Sequence, residues 1–396
     1  MACAPKGADS VRDIFGDKMR HCPFSPSDFA FTVPATVQNE EEDNLRTLAA
    51  MRKFADYERA LDALPRPTLV MCKSNKRAGC VESVYAAVKA GQTFDALVAS
   101  NIMPWHGAPG MVHWAKTVVN AHERRRAQPF IFRQLFEKES STFTYLLADP
   151  VTKECLLIDP VIETVDRDYK HVEEMGLSLK YVINTHVHAD HVTGTGLLKQ
   201  KGAAAVEEHN AKRRAVMNDG ASTPEEEAKW ADDKRRAPQS ALAAVAGAVA
   251  DIQLSTGSHL SLGTRRLLCI NTPGHTAGCM TFVTDDCQRI FTGDTLLIRG
   301  CGRTDFQEGS SNTLYDSVHT QLFTLPNGTE VWPAHNYGGL SCSTIGEERS
   351  LNPRLACEGP MGPIEKNKFY EIMDNLKLPY PRKIDIALPA NLQCGV

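Results

Sequence analysis

Read as a string of apolar and polar positions, the chain changes its period near residue 129. From Glu40 onward apolar side chains recur every three or four residues, at Leu45, Leu48, Met51, Phe54, Tyr57, Leu61 and Leu64. That spacing puts one apolar stripe on a helix, which Pro65 and Pro67 stop. Short apolar runs at Phe29–Val33 and Thr68–Met71 predict strands. The second delivers Cys72 into the loop Cys72-Lys73-Ser74-Asn75-Lys76-Arg77-Ala78-Gly79. A helix from about Cys80 closes at Gly91, and two more follow near Phe94–Ile102 and Val112–Arg126. Strand, loop and helix in this order predict a small α/β domain over residues 1–126. The basic run Arg124-Arg125-Arg126 and Pro129 mark its end.

Beyond Pro129 apolar runs are short and bounded by turn residues, the signature of strands. Phe143–Leu147 and Glu154–Ile158 flank Asp149-Pro150 as a hairpin. Glu163–Met175 reads as a helix, Leu179–Asn184 as a strand and Val192–Gly202 as a helix. Further strands are predicted at Ile252–Leu254, Arg266–Ile270, Met280–Val283, Arg289–Phe291 and Val331–Trp332, with helices at Thr313–Phe323 and Lys366–Leu376. Residues 206–250 read as an insertion of surface helices or a lid, with a capping-box start at Thr223-Pro224-Glu225-Glu226 and an Ala-rich run from Ala241. The whole is an α/β protein of two domains, 1–126 and 130–396.

Composition narrows the class. In 396 residues, 42% hydrophobic and 23% charged side chains with a formal charge of −4 describe a globular protein without the basic surface that nucleic acid requires. The run Ala241–Ala250 is too short to span a bilayer, so no membrane partner is expected. Twelve scattered cysteines without a Cys-x-x-Cys pair read as reduced thiols. The first twenty residues mix basic residues with Asp9, Asp13 and Asp17, whereas a transit peptide is poor in acids. A cytoplasmic location is therefore one expectation.

The chemistry concentrates at strand ends. Thr185-His186-Val187-His188-Ala189-Asp190-His191 follows the 179–184 strand and packs three imidazoles and a carboxylate into six residues. Neutral imidazole and carboxylate suit zinc, iron or manganese. Three more candidates each follow an apolar run: His275 in Thr272-Pro273-Gly274-His275, Asp294 in Thr292-Gly293-Asp294, and His335 in Pro333-Ala334-His335. The flanking glycines allow turns sharp enough to aim the next side chain inward. Spacing alone allows one metal, or two bridged by Asp294.

These loops resemble the metallo-β-lactamase superfamily over about residues 130–396, which implies an αβ/βα sandwich with the site at one edge of two facing sheets. Thr185–Gly196, Gly300-Cys301-Gly302-Arg303-Thr304-Asp305-Phe306-Gln307 and the ending Pro389–Val396 resemble the persulfide dioxygenase family. That resemblance implies one Fe(II) per chain on His186, His275 and Asp294, with His188, Asp190, His191 and His335 around it. It implies glutathione persulfide and O2 as substrates, sulfite and glutathione as products, Arg303 and Tyr337 against the glutathione part, and a mitochondrial location. An ion pair with Asp305 is the structural reading of Arg303. The family usually has Asp after the last motif histidine, where this chain has Asn336. A homodimer stays open. The rival is glyoxalase II, a dinuclear thioester hydrolase, which carries a long helical extension after the last histidine. Here 61 residues follow His335 and match the dioxygenase ending.

The Cys72 loop is Cys-x4-Arg, ending at Arg77, and resembles rhodanese-type sulfurtransferases and the phosphatase-like domain fused to some bacterial metallo-β-lactamase proteins. Backbone N–H groups at a helix start, with Arg77, would lower a thiol pKa there. Cysteine phosphatases have one residue more between Cys and Arg, and Ala78 stands where they carry a hydroxyl.

Overall fold

The structure, a computed structural model, describes residues 40–62, 76–100, 109–218, 236–360 and 362–395. The chain divides into two compact units, residues 1–128 with 324–327, and residues 129–323 with 328–396.

The described part of the N-terminal segment is helical: α1 (Glu40–Asp62), α2 (Lys76–Ala90), α3 (Phe94–Ala99) and α4 (Pro109–Ala127). The stripe on α1 that the period predicts is buried at Leu48, Met51, Phe54 and Tyr57. Phe54 and Tyr57 meet Trp114 of α4 at ring distances of 6.4 and 5.8 Å, and the Trp114 Nε1–H donates to the Ala50 carbonyl. The strands expected at 29–33 and 68–71, and Cys72 with its loop, lie outside the described residues. Arg77 falls in the first turn of α2. The described helices therefore lend no support to a sulfurtransferase-like reading of this segment.

The second unit holds two six-stranded sheets. The first runs in order from β1 (Ile131–Glu137) through β2 (Thr142–Ala148), β3 (Glu154–Ile158), β4 (Ser178–Ile183) and β5 (Gln239–Ala243) to β6 (Ile252–Leu254). Helices α5 (Val165–Glu174) and α6 (Thr195–Asn218) fall between its strands in sequence. The second sheet contains β7 (His259–Leu262), β8 (Arg265–Asn271), β9 (Met280–Thr284), β10 (Arg289–Gly293), β11 (Glu330–Pro333) and β12 (Ser343–Thr344), again in chain order across the sheet. Helix α7 (Ser311–Ser317) lies between β10 and β11, and α8 (Ile345–Leu351), α9 (Lys366–Asp374) and α10 (Ile384–Leu392) follow β12.

Alternation along the strands builds the layers. Tyr145, Leu147, Leu156, Ile158 and Ile183 point between the sheets, where they join Leu267, Cys269, Phe282 and Phe291 in one core. Leu146, Ala148, Cys155, Leu157 and Val182 point the other way, onto Val165 and Val172 of α5 and Leu198 of α6. This is the αβ/βα sandwich expected from the sequence.

Strands β1, β7 and β12 were not anticipated from the sequence, and one segment contradicts its expected form. The end of the 206–250 stretch is not surface helix, because Gln239–Ala243 is β5, paired in parallel with β4 and β6. Ala241 and Ala243 pack between the sheets while Leu242 faces Val187 and Leu392. A run of alanines carries no clear period, so the strand is hidden in it. The charged capping box at 223–226 lies outside the described residues.

At the edge away from the site, buried Asp149 ties the two sheets together. Its carboxylate accepts from Val151 N–H (3.2 Å) and the Thr152 hydroxyl (3.0 Å) in its own turn, and from Thr264 N–H (2.9 Å) in the β7–β8 turn. Burial pushes this carboxyl up, but the Thr264 and Val151 N–H groups push it down by more, and it lies below the ordinary range. Asp149→Ala is expected to cost about 2–4 kcal/mol in urea unfolding at neutral pH, since several donors lose a charged acceptor. A depressed folded pKa gives stability that is present above the unfolded value of about 3.9 and lost as pH falls through the folded one. The deficit of the variant should therefore shrink on acidification below about pH 4; a deficit independent of acid would show that the charge is not what counts.

Candidate active site

Every candidate ligand lies just beyond the C-terminal end of a strand: the histidine loop after β4, His275 after β8, Asp294 after β10 and His335 after β11. Backbone bonds stitch these ends together. Met280 N–H donates to the Thr185 carbonyl at 2.8 Å, Ala334 N–H to Gly293 at 3.0 Å, and Phe143 N–H to Ala334 at 2.8 Å. Gly293 has φ +53°, and a Cβ there would stand 2.5 Å from the Thr185 hydroxyl. Only glycine lets β10 turn so close to the histidine loop and present Asp294.

The structure brings six sequence-predicted residues into two neighbouring groups and a seventh beside them. His186, His275 and Asp294 offer ligand atoms within 4.8 Å of one another, and so do His188, Asp190 and His335. His191 lies beside the second group, its ring 4.3 Å from that of His188. Within the first, His275 Nε2 stands 3.6 Å from Asp294 Oδ2; between the two, His335 Nε2 stands 3.8 Å from Asp294 Oδ1.

Partners behind each ring fix which nitrogen faces inward. His275 Nδ1 lies 2.6 Å from the Arg303 carbonyl, which only accepts, so Nδ1 carries the proton and Nε2 is bare. His186 Nδ1 lies 3.0 Å from the Thr185 hydroxyl, whose own proton goes to Asp159 Oδ2 (2.9 Å). His188 is the reverse case, with Nε2 at 3.0 Å from Asp159 Oδ1 and Nδ1 turned inward.

Burial, together with the neighbouring His188 and His275 rings, holds His186 well below the ordinary histidine range, so it is neutral. Burial would raise Asp190, but His191 and His335 hold it far below its usual value, so it is ionised.

The donor set fits a metal ion. His188 Nδ1, His191 Nε2 and Asp294 Oδ1 are buried and lack a hydrogen-bond partner. Bare imidazole nitrogens face carboxylate oxygens across this space, lone pair against negative charge, and a cation relieves that opposition. Two imidazoles and one carboxylate form a donor set suited to a divalent first-row metal.

Of the two residues expected against substrate, Tyr337 is largely exposed, its ring stacked on His335 at 6.0 Å. Arg303 is tied down. Its Nε and Nη2 donate to the Asp305 carboxylate at 2.6 and 2.7 Å, Nη1 donates to the Pro379 carbonyl at 2.7 Å, and the guanidinium lies over Phe306. The ion pair with Asp305 is thus present. Asn336 accepts from Gly338 N–H at 2.8 Å, a bond that an aspartate would make equally well. Cys72 lies outside the described residues.

Three functional residues escaped the sequence reading. Buried Asp159, at φ +51°, accepts from Thr185 N–H (2.7 Å), the Thr185 hydroxyl and His188. Its signal was available, since it directly follows β3 as the ligands follow their strands. Asn391 of α10 donates to the carbonyls of His188 and His191, both at 2.8 Å, and accepts from Thr193 N–H. Thr142 places its hydroxyl between His191 and His335. The last two carry no local signal.

Comparison with known proteins agrees with this geometry. The Metallo-beta-lactamase superfamily profile matches residues 138–335, half of the chain. The mitochondrial persulfide dioxygenase ETHE1 of Mus musculus is 44% identical over 290 residues, covering 71% of this chain and 98% of that protein. The crystal structure of ETHE1 from Myxococcus xanthus superposes with a TM-score of 0.55 at 40% identity, over 67% of this chain and all of that one. A beta-lactamase hydrolase-like protein of Xylella fastidiosa is 26% identical over 359 residues, 86% of this chain and 76% of that protein, an alignment long enough to run into the N-terminal unit. The chain belongs to the persulfide dioxygenase family within the metallo-β-lactamase superfamily, and is an enzyme of that kind.

Proposed function

We propose that the substrate is glutathione persulfide, oxidised by O2 at one Fe(II) per chain held by His186, His275 and Asp294. The observation that carries the metal reading is the first trio: three ligand atoms within 4.8 Å, with the rear nitrogen of each imidazole occupied by an oxygen partner. Bound there, Fe(II) would supply open coordination positions for a soft sulfur and for O2, and the electron transfer that lets a spin-paired persulfide react with triplet O2. The terminal sulfur gives four electrons to O2, water supplies the third oxygen of sulfite, the S–S bond breaks, and glutathione leaves as the thiol with release of two protons.

The chain's own residues hold the reacting groups in place. The Arg303 carbonyl and the Thr185 hydroxyl orient the two ligand rings. Arg303 spends three of its five N–H groups on Asp305 and Pro379, which leaves two for a carboxylate of glutathione. Tyr337 offers an exposed aromatic face beside His335. Arg303→Ala is expected to raise KM about 10- to 100-fold, the loss of one charged contact at about 1.5–3 kcal/mol, while iron content holds. Unchanged KM would leave Arg303 as the partner of Asp305 alone. The mitochondrial location named for the mouse relative supports the same compartment here.

One observation favours the glyoxalase II reading: His188, Asp190 and His335 form a second group able to hold a metal. Metal analysis with two assays decides. One iron per chain and O2 uptake with glutathione persulfide support the dioxygenase, whereas two metals and hydrolysis of S-lactoylglutathione overturn it.

A further inference from the structure

The turn between β1 and β2 makes a hydrogen-bonded chain that ends on two site histidines. Glu137, nearly buried, accepts at Oε1 from Glu139 N–H and at Oε2 from Ser140 N–H, both at 2.7 Å, and at Oε2 from the Ser140 hydroxyl at 2.6 Å. The Ser140 hydroxyl lies 2.7 Å from that of Thr142, which is fully buried. The Thr142 hydroxyl lies 3.4 Å from His191 Nδ1 and 3.3 Å from His335 Nδ1.

The carboxylate fixes the direction of every link. Burial pushes the Glu137 carboxyl up, and the Ser140 hydroxyl and N–H with Glu139 N–H push it down by more, so it is ionised and only accepts. Ser140 must then donate to Glu137 and has only its lone pairs left for Thr142. Thr142 donates to Ser140 and has only lone pairs left for the two imidazoles. Both Nδ1 atoms must therefore carry the proton. On the Nδ1 side their other neighbours agree, since Asp190 Oδ2 is 3.0 Å from His191 Nδ1, the Ser141 carbonyl is 3.3 Å from His335 Nδ1, and both are acceptors; on the other side His335 Nε2 faces Asp190 Oδ2 at the longer distance of 3.4 Å and Asp294 Oδ1 at 3.8 Å.

We propose that Glu137, Ser140 and Thr142 are positioning residues that hold His191 and His335 as Nδ1–H tautomers, with bare Nε2 atoms turned into the site. The device is the counterpart of Asp159, which sets His188 the opposite way. Without the carboxylate at its far end the Thr142 hydroxyl is free to turn round and donate to Nδ1, which would put a proton on the nitrogen that faces the site. The effect on turnover rests on the dioxygenase reading above; the tautomer assignment does not.

The test uses the full chain, chelator-stripped and labelled with 15N-histidine, at alkaline pH where neutral rings prevail. Long-range proton–nitrogen spectra read which ring nitrogen is protonated. Wild type is expected to show Nδ1–H and bare Nε2 in His191 and His335, and the reverse in His188. Thr142→Val removes the hydroxyl at constant shape and is expected to give His335 a mixture of tautomers, and Thr142→Ser to restore the wild-type spectrum. In the iron-loaded enzyme Thr142→Val should lower kcat about tenfold with KM and iron content unchanged, and Thr142→Ser should stay near wild type. Ser140→Ala, which touches neither histidine, should move spectrum and kcat the same way by less, and serves if the valine variant does not fold. Protonated Nε2 in wild-type His335, or identical ring signals in wild type, Thr142→Val and Ser140→Ala, overturns the proposal. Should the iron enzyme prove not to oxidise persulfide, the kinetic comparison falls with that reading while the spectra still decide the tautomers.

Discussion

Replacing His275 by alanine is expected to give a folded chain that holds almost no iron and consumes very little O2 with persulfide. The ring is mostly shielded from water and makes one side-chain hydrogen bond, to the Arg303 carbonyl, so its removal should cost about 1 kcal/mol of stability and move Tm by a few degrees. Iron binding should suffer far more. The first trio holds two imidazoles and one carboxylate, and loss of one leaves a bidentate site that water competes for. Turnover should fall on the order of 10³-fold, equivalent to roughly 4 kcal/mol. His335→Ala is the informative contrast, because it belongs to the second trio and should keep iron in the first. Metal content, oxygen-electrode rates and thermal melting on the two variants separate the cases. Full iron in His275→Ala, or loss of iron only in His335→Ala, would move the metal to His188, Asp190 and His335.

The candidate ligands were legible because each is announced by its own strand. His186, His275, Asp294 and His335 all stand one to four residues past the end of a strand, and Gly274 and Gly293 mark the sharp turns that aim them. Position along the chain therefore encodes position on one sheet edge. The groups that orient those ligands are not encoded that way. Asn391 reaches the carbonyl of His188 from 203 residues away because α10 packs over the loop, with Leu388 and Leu392 against Val187 and Ala248. Thr142 looks like any hydroxyl at the start of a strand until the β-bridge to His335 brings the two sheets together there. In the fold, most strands with β-branched or large apolar residues were clear, though β1 and β7, whose apolar residues are interrupted by polar ones, were missed; β5 was hidden because alanine fits a helix face and a sheet interior alike. Arg303 illustrates the other limit. The residue two positions on was enough to suggest the Asp305 pair, but not that Pro379 would take a third donor from the same guanidinium.

Asp159→Asn is expected to weaken iron binding 10- to 100-fold with little loss of folding stability. The effect is one of proton direction. Asp159 Oδ1 accepts from Thr185 N–H at 2.7 Å and from His188 Nε2–H at 3.0 Å, and asparagine keeps both bonds if its carbonyl oxygen takes that place. Its amide nitrogen must then stand where Oδ2 stood, 2.9 Å from the Thr185 hydroxyl. An NH2 group donates, so the hydroxyl can no longer give its proton to residue 159 and turns it toward His186 Nδ1, 3.0 Å away. That nitrogen must accept, which moves the ring proton to Nε2, the atom that would face the proposed metal. One of three ligands is thereby masked until the hydroxyl turns back. Iron titration of the two proteins, with urea unfolding as control, reads the effect. Glu at this position would keep the charge but not the reach, so Asp159→Glu should not restore binding. An Asp159→Asn enzyme with wild-type iron affinity would mean that the Thr185 hydroxyl does not govern the His186 ring, and that the ligand is held by its backbone alone.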